Sequence, residues 1–403
     1  MNRLLLLVLC LAAASMVPAS PTTWPATQPA DLRKLVLGND PQEATDALRR
    51  AATTRPAGDA ELRGLALELL DADAKAIQKA AAAPIDPKRL ADLEAELADL
   101  RKQARDNIRT LNLETIEMAR IYHRQLVALR AKIHPIYATF DRILEAMRRR
   151  PMLREMAGGN LPPDEPALRP LAEKALGMSL EAAADAARLG LMANDIPPRP
   201  LALYRFSRRV EAYNRSMAHL MNRAEAANTR LVNEYREMLG LLPLEVDERL
   251  LQSARRHSKE MIDLKYHGHD SPTPQLRTPE MRMRAAGYDG WGMGENYALH
   301  YDAPDKAFWG WFNSPGHHRT MATAAYTSIG VGKWDDAWTQ NYGMGTRLMS
   351  ATEEQRNAAR PTGPMLALQP DELARPVQRK ITTTTEIRIY DPFNPDPTQR
   401  RSK

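Results

Sequence analysis

The first half of the chain alternates apolar and charged residues with the period of an α-helix. Leucines at four positions between residues 90 and 100 follow 3-4-3 spacing, and a second apolar stripe runs through residues 118–140. Spacings of three and four place side chains on one face of a helix, and charged residues fill the other faces. We therefore predict an all-α region over residues 41–228.

Two arrangements of these helices agree with the pattern. The 3-4 spacing holds for roughly three heptads and then drifts, which favours a monomeric antiparallel bundle over a dimerising coiled coil. A coiled coil would let this region self-associate, and that alternative stays open. His134-Pro135 is expected to kink or break a helix. A loop rich in glycine and proline at residues 158–163 is expected to separate two helical groups.

The composition changes near residue 230, where glycine, tryptophan and histidine become frequent. Twelve of the 20 glycines lie between residues 240 and 345, and five of the six tryptophans lie between residues 291 and 338. Six of the nine histidines lie between residues 257 and 318. Such a segment combines tight turns, a dense core and candidate ligands, so we place the function here.

Local signals divide this second part into short elements. One helix is predicted to end at Gly240, and another is predicted to begin at Asp247. Residues 329–332 and 338–343 are predicted to form a β-hairpin. His257 lies on the apolar face of the helix that begins at Asp247, so we interpret it as a packed core histidine rather than a ligand.

The amino terminus has the layout of a secretory signal peptide. Arg3 precedes an unbroken apolar run at residues 4–14, and residues 17–19 supply small side chains for cleavage. The run is shorter than the roughly 20 apolar residues of a transmembrane helix, although an uncleaved anchor stays open. We predict a signal peptide over residues 1–19 and a secreted, periplasmic or cell-envelope location. Cys10 is the only cysteine, so the mature chain would rely on packing or a bound metal instead of disulfides.

Segments of simpler composition flank the two parts. Residues 20–40 are predicted to be a flexible linker, and residues 348–403 a Pro-rich and mostly disordered tail in which residues 381–390 favour a strand. The net charge of +6 is modest for 403 residues, with acidic and basic side chains interleaved. We therefore expect no binding to nucleic acid, and at most a weak attraction to anionic envelope polymers.

Short motifs follow one another in order between residues 229 and 347. They are Asn233-x-Tyr235-Arg236, Gly240-Leu241-x-Pro243-Leu244, Ala254-x-x-His257-Ser258, Tyr266-x-x-His269, Arg284-x-x-Gly287-Tyr288, Gly294-Glu295-Asn296, Trp311-x-x-Ser314-Pro315-Gly316-His317, Ile329-Gly330-Val331-Gly332 and Trp338-x-Gln340-x-x-Gly343. Together they resemble a bacterial domain of the CAP superfamily, which groups cysteine-rich secretory proteins, antigen five and plant pathogenesis-related proteins. The resemblance implies a C-terminal α-β-α sandwich of CAP type. With the all-α bundle or coiled-coil region predicted before it, the chain is expected to belong to the α+β class.

The resemblance also implies which side chains line a central cleft. They are His269, Glu295 and His317. Two imidazoles and one carboxylate are a common first shell for zinc with an open position. They bind a polar ligand through hydrogen bonds equally well, so zinc remains one of two options.

One expected member of the cleft is missing. Many family members add a second acidic residue in the tryptophan-bearing helix, where this chain reads Asn313-Ser314. Three other polar residues lie near in sequence and are candidates to compensate, namely His267, Asp270 and His318. Without compensation, the usual cluster of four is incomplete.

Two functions agree with such a cleft. The first is a non-enzymatic ligand-binding or scaffold module of the cell envelope, for which the resemblance implies lipid-like ligands. The second is a zinc-dependent, peptidase-like hydrolase in which His269 and His317 hold zinc and Glu295 is a ligand or general base. The sequence contains no His-Glu-x-x-His helix and no recognised nucleophile motif. These absences and the missing acidic residue favour the binding module.

Overall fold

Helices fill the first part of the chain, and a four-stranded sheet lies in the second part. The computed structural model describes residues 29–369 apart from 39, 57, 160–164 and 190–197. The predicted signal peptide and the predicted strand at residues 381–390 lie outside the described residues. The helices before residue 223 are α1 (Pro29–Val36), α2 (Pro41–Thr54), α3 (Ala60–Ala82), α4 (Pro87–Arg109), α5 (Ile116–Met156), α6 (Glu165–Leu176), α7 (Leu180–Ala186) and α8 (Pro200–Ser216).

The apolar stripes of these helices face one another within the chain. Helix α3 packs against α5 and α6, and α4 packs against α5. Leu97 on α4 and Leu126, Leu129 and Ile133 on α5 are all buried. Asp86 accepts hydrogen bonds from the first backbone amides of α4, as an N-cap does. The predicted helical region is therefore confirmed, and its helices form an intramolecular bundle; self-association stays a prediction.

Helix α5 runs for 41 residues and contains Pro135 in its interior. Of the kink or break predicted at this proline, the break is therefore wrong, and the kink stays a prediction. A proline removes one backbone hydrogen bond of a helix, but Ile133, Tyr137 and Phe140 continue the buried stripe on both sides of it. Packing of that stripe keeps the segment helical, because most helix stability in proteins comes from tertiary contacts.

Two segments expected to be flexible are partly ordered. Residues 29–36, assigned from sequence to the linker, form α1, where Leu32 and Val36 are buried. Residues 348–369, assigned to the disordered tail, include helix α14 (Glu353–Ala358). In both segments a few well-placed apolar side chains outweigh a composition rich in proline and polar residues.

The second part of the chain forms the sandwich around the sheet. Its remaining elements are α9 (Arg223–Met238), β1 (Glu245–Val246), α10 (Glu248–Asp263), α11 (Pro279–Ala285), β2 (Trp291–Ala298), α12 (Pro304–Phe312), α13 (Pro315–Met321), β3 (Ser328–Trp334) and β4 (Ala337–Met344). The strand order is β1-β3-β4-β2. Strand β1 is parallel to β3, and the other pairs are antiparallel. The predicted hairpin is confirmed as β3 and β4.

The alternation of small and large residues in β3 sets the two layers of helices. A Cβ added to Gly330 or Gly332 would come within about 2 Å of the backbone of α10, so this helix lies directly on that face. Ile329 and Val331 point to the opposite face, where they join the core that also contains residues of α9 and α12. The predicted α-β-α arrangement, and with it the α+β fold class, is confirmed.

The helical region and the sandwich share one hydrophobic core. Leu126 on α5 belongs to the same buried cluster as Tyr235 on α9 and Phe312 on α12. The ring of His123 lies 5.1 Å from that of Trp309 and 5.6 Å from that of Phe312. Helix α9 itself runs across the boundary predicted between residues 228 and 229. The change of composition there does not mark a flexible junction.

The segment after β4 is held along the outside of α10. The side chain of Gln252 donates to the carbonyl of Pro364 at 2.7 Å and accepts from the amide of Leu366 at 2.9 Å. Thr362 donates through its amide to the carbonyl of Ala286 at 3.2 Å. Residues 361–369 form a strap over this helix. None of the helices in the described ranges is both long and apolar enough to cross a membrane.

Candidate functional site

The three predicted cleft residues come from three different elements. His269 lies in the loop after α10, Glu295 lies in β2, and His317 lies in the first turn of α13. Nδ1 of His269 is 3.0 Å from Oε1 of Glu295. The ring of Tyr297 contacts the ring of His269 edge-on at 4.8 Å and lies 6.3 Å from that of His317. Tyr297 therefore joins the three residues into one site.

Sequence reasoning missed Tyr297, although a signal for it was present. Side chains alternate between the two faces of a strand. Tyr297 follows Glu295 by two residues in β2, so the two side chains share a face. The assignment of Glu295 to the cleft was enough to place Tyr297 there as well.

The carboxylate of Glu295 is almost completely enclosed. Its side chain is 1 % exposed, and one terminal nitrogen of Arg282 lies 2.8 Å from each of its oxygens. With its amide nitrogen turned towards Glu295, Asn341 donates to Oε2 at 3.1 Å. Burial alone raises the pKa of Glu295, but the hydrogen bond from His269 and the charge of Arg282 outweigh it and lower the pKa below its usual value. Glu295 is thus a buried, ionised and fully occupied acceptor.

This state of Glu295 fixes the orientation of His269. An ionised carboxylate only accepts hydrogen bonds, so Nδ1 of His269 must be the donor at 3.0 Å. The other ring nitrogen, Nε2, is then the one left to meet a ligand, and the His269 side chain is 46 % exposed. Glu295 therefore supports and orients His269 from behind.

His317 and His257 occupy contrasting surroundings. Burial lowers the pKa of His317, and the nearby charge of His269 lowers it further. His257 is fully buried, and its Nε2 lies 3.1 Å from the carbonyl oxygen of Gly268, to which it donates. Burial lowers the pKa of His257 to about 4. The interpretation of His257 as a packed core histidine is confirmed, and its contact holds the loop that carries His269.

The residues proposed to compensate for the missing acid do not complete the cluster. His318 is fully buried, with Nδ1 2.7 Å from the carbonyl of Phe312 and Nε2 2.6 Å from the hydroxyl of Tyr235. It faces the core, because consecutive residues of a helix point in different directions. His267 and Asp270 are exposed, and Asp270 pairs only loosely with Arg277, at 3.8 Å.

Asn313, which occupies the position of the missing acid, makes a different contact. Its Oδ1 accepts a hydrogen bond from Nε of Arg120 at 3.0 Å. Arg120 lies on α5 of the helical region. The side chain at this position therefore connects the sandwich to the bundle.

The side chains of the cleft do not supply the ligands of a catalytic zinc site. Such sites use three protein ligands and an open position. Within the described part of the chain, no group of three or more His, Cys, Asp or Glu side chains is placed to hold a metal ion. The cleft offers His269 and His317, while Glu295 is taken up by Arg282. The prediction of zinc thus lacks a third ligand.

The sequence of this part of the chain matches a known family. Residues 229–342 match the family model described as the cysteine-rich secretory protein family, CAP. These residues form a CAP domain. The match begins at the predicted residue 229 and covers β1–β3 and most of β4, together with α10–α13. The predicted resemblance is confirmed for the CAP domain, and the helical region lies outside the match.

Two curated relatives match a little over a quarter of the chain. The uncharacterized protein YkwD of Bacillus subtilis (strain 168) is 37 % identical over 114 residues, which are 28 % of this chain and 44 % of the relative. The uncharacterized membrane protein YlbC of the same organism is 33 % identical over 112 residues, 28 % of this chain and 32 % of the relative. The chain therefore spans less than half the length of these two curated relatives.

A solved structure is also similar to part of this chain. It is the crystal structure of an extracellular protein containing a SCP domain from Bacillus anthracis str. Ames. The sequence identity is 32 %, the match covers 32 % of this chain and 43 % of that chain, and the TM-score is 0.30.

Proposed function

We propose that the CAP domain is a non-enzymatic binding module of an exported protein. Its cleft would hold a polar group of an envelope or lipid-like ligand through hydrogen bonds to His269, Tyr297 and His317. The observation that carries this proposal is the state of Glu295, whose two oxygens both accept hydrogen bonds from Arg282. An occupied carboxylate supports a neighbouring imidazole but takes up no proton from water or substrate.

The alternative hydrolase needs a base or a nucleophile in the cleft. A general base works best with a pKa near the operating pH, whereas the pKa of Glu295 is lowered from an already acidic value. His269 and Glu295 resemble the imidazole and carboxylate of a triad, but the two serines nearest to His269 in sequence make other hydrogen bonds. Ser258 donates to the carbonyl of Gly332 at 3.0 Å, and Ser271 accepts from the amide of Thr273 at 2.9 Å.

The binding proposal is tested by what the purified protein retains. We would purify the full chain, a His269→Ala/His317→Ala variant and a His300→Ala control, and identify small molecules in each by native and denaturing mass spectrometry. His300 is a suitable control because its side chain is 84 % exposed and pairs with Asp336 in the turn between β3 and β4. We expect the wild type and the control to retain a ligand that the double variant loses.

The same samples distinguish the hydrolase. Zinc is measured by plasma mass spectrometry in all three proteins after purification with added zinc. Negligible zinc throughout supports the binding module. About one zinc per chain in the wild type, lost in the double variant, would instead support a metal site of the kind that hydrolases use. A ligand retained equally by all three proteins would contradict the proposed cleft.

A further inference from the structure

Helix α13 directs three consecutive side chains to three different places. His317 faces the cleft near Tyr297, and His318 is buried against Tyr235. Arg319 points to the helical region, where its terminal nitrogen donates to the carbonyl of Leu111 at 2.6 Å. This helix has only seven residues. Its position therefore depends on the contacts of its few side chains and of the residues beside it.

The helical region holds α13 from the side opposite the cleft. Arg120 of α5 donates through Nε to Asn313, just before α13 begins, at 3.0 Å. Its terminal nitrogen also donates to Glu117 at 2.9 Å, which fixes the guanidinium on the surface of α5. With the bond from Arg319 to Leu111, the helical region thus contacts both the start and the middle of the segment that carries His317.

The cleft side of α13 has fewer anchors. The carbonyl of His317 accepts from Nδ2 of Asn296 at 3.2 Å. The imidazole of His317 lies 6.3 Å, ring to ring, from Tyr297. A shift of α13 away from β2 would therefore expose this imidazole and separate it from His269.

We propose that Arg120, acting through Asn313, is a positioning residue that sets His317 in the cleft, so that the helical region controls the shape of the binding site. Arg120 does not touch a ligand in this proposal. The relevance of the contact to ligand affinity rests on the proposed binding function. The positioning itself does not, because it is measured without any ligand.

The test is an NMR titration of the histidines in the full-length, ligand-free protein. We would compare the wild type with Arg120→Ala and Asn313→Leu, which remove the same bond from its two sides. The control is Arg124→Ala, because Arg124 lies on the same helix, is 42 % exposed at its side chain and pairs only loosely with Glu117, at 3.8 Å. His300 and His257 serve as reference signals for an exposed and a buried ring.

We expect the pKa of His317 to rise towards its ordinary value of about 6.5 in both variants and to stay at its wild-type value in the control. Arg120→Lys, which keeps a donor at this place, should restore part of the lowered value. An unchanged His317 pKa in both Arg120→Ala and Asn313→Leu would overturn the proposal, and so would an equal rise in the control. If His257 also titrates normally in Arg120→Ala, that variant has unfolded, and Asn313→Leu decides by the same criterion.

Discussion

The carboxylate of Glu295 lies in the interior of the CAP domain, with a guanidinium on one side and an imidazole on the other. Burying a single charge is unfavourable unless it is paired and hydrogen-bonded. Arg282 supplies the pairing, and His269 and Asn341 supply further donors. This local balance explains why a charged group remains in a core position next to the cleft.

Removing the guanidinium of Arg282 is expected to lower the stability of the fold, because the charge of Glu295 then has no partner. Arg282→Met leaves Glu295 buried without its partner, and breaking a buried ion pair in this way destabilises a protein by about 3–5 kcal/mol. The double variant Arg282→Met/Glu295→Gln should lose clearly less, since no charge remains unpaired. Urea unfolding followed by circular dichroism measures both, with the exposed Arg277→Met as control. Equal stability of Arg282→Met and the control would contradict this account of Glu295.

Three buried histidines make the stability depend on pH. Burial lowers the pKa of His123, His257 and His318 to about 4 in each case. Between this value and the ordinary value of about 6.5, the unfolded chain binds protons that the folded chain does not. Stability is therefore fully present above pH 6.5 and decreases as the pH falls towards 4, by about 3 kcal/mol for each histidine.

Urea unfolding at pH 7.5 and at pH 5 measures this loss. His257→Gln removes one of the three groups, so the difference between the two pH values should shrink while the other two histidines maintain the rest. His300→Ala, which alters an exposed ring, should leave the difference unchanged. A stability that stays constant from pH 7.5 to pH 5 would show that these rings are protonated without penalty.

At the scale of single residues, the sequence predicted which side chains lie in the site better than it predicted what each of them does. The family resemblance located His269, Glu295 and His317, and the structure brings them together around Tyr297. The family resemblance did not reveal that Arg282 binds Glu295. The two residues lie 13 positions apart in different elements, and no local spacing rule connects a helix residue to a strand residue across a loop.

At the scale of elements, the strap shows how one side chain orders a Pro-rich segment. The amide of Gln252 binds both a carbonyl and an amide of the strap, at Pro364 and Leu366, much as a neighbouring strand would. Its position inside α10 is fully buried. Composition predicted disorder here because composition contains no information about a partner that lies 112 residues earlier in the chain.

Gln252→Ala is expected to release the strap. Both main-chain groups lose their partner, and a hydrogen bond of this kind contributes about 0.5–1.5 kcal/mol to stability. Hydrogen exchange at the amide of Leu366 should accelerate strongly, while exchange within α10 changes little. Gln103→Ala is the control, because Gln103 lies on α4, away from the strap, and donates to Asp99 at an exposed site. Unchanged exchange at Leu366 in Gln252→Ala would show that other contacts hold the strap.

The elements were otherwise predicted where local chemistry decides them. Asp247 begins α10 by accepting from the amides of Arg249 and Leu250, and Gly240 ends the preceding helix with φ of 79°. The break expected at Pro135 failed, because helix α5 is buried on both sides of that proline. Caps and turns depend on neighbours in sequence, whereas the effect of an interior proline depends on packing.

At the scale of the whole molecule, the bundle and the CAP domain depend on each other. The face formed by Tyr235, Trp309 and Phe312 packs against His123 of the bundle. Arg101 also donates to the last carbonyls of α9, at Glu237 and Met238. The change of composition near residue 230 correctly located the CAP domain. It did not predict this shared core, because apolar stripes do not specify which surface covers them.

A fragment of residues 223–369 is therefore expected to self-associate. It would expose the aromatic face of α9 and α12, and contiguous apolar patches of this kind drive association. Size-exclusion chromatography with light scattering should give a larger mass than the monomer for the fragment. In the full chain the bundle covers this face, so under the same conditions the full chain should not gain mass by association through it. A monomeric fragment with the urea stability of the full chain would show that the two parts are independent.

The contacts between Arg120 and Asn313 and between Arg319 and Leu111 span 193 and 208 positions of the chain. During synthesis, α5 therefore emerges long before the residues that cover its apolar face. Contacts so distant in sequence also form slowly, since long loops must close before they contribute. The apolar surface of the nascent bundle therefore stays exposed until α12 and α13 have been synthesised. The period in which this protein most needs protection from aggregation thus ends only when nearly all of the described chain has been made.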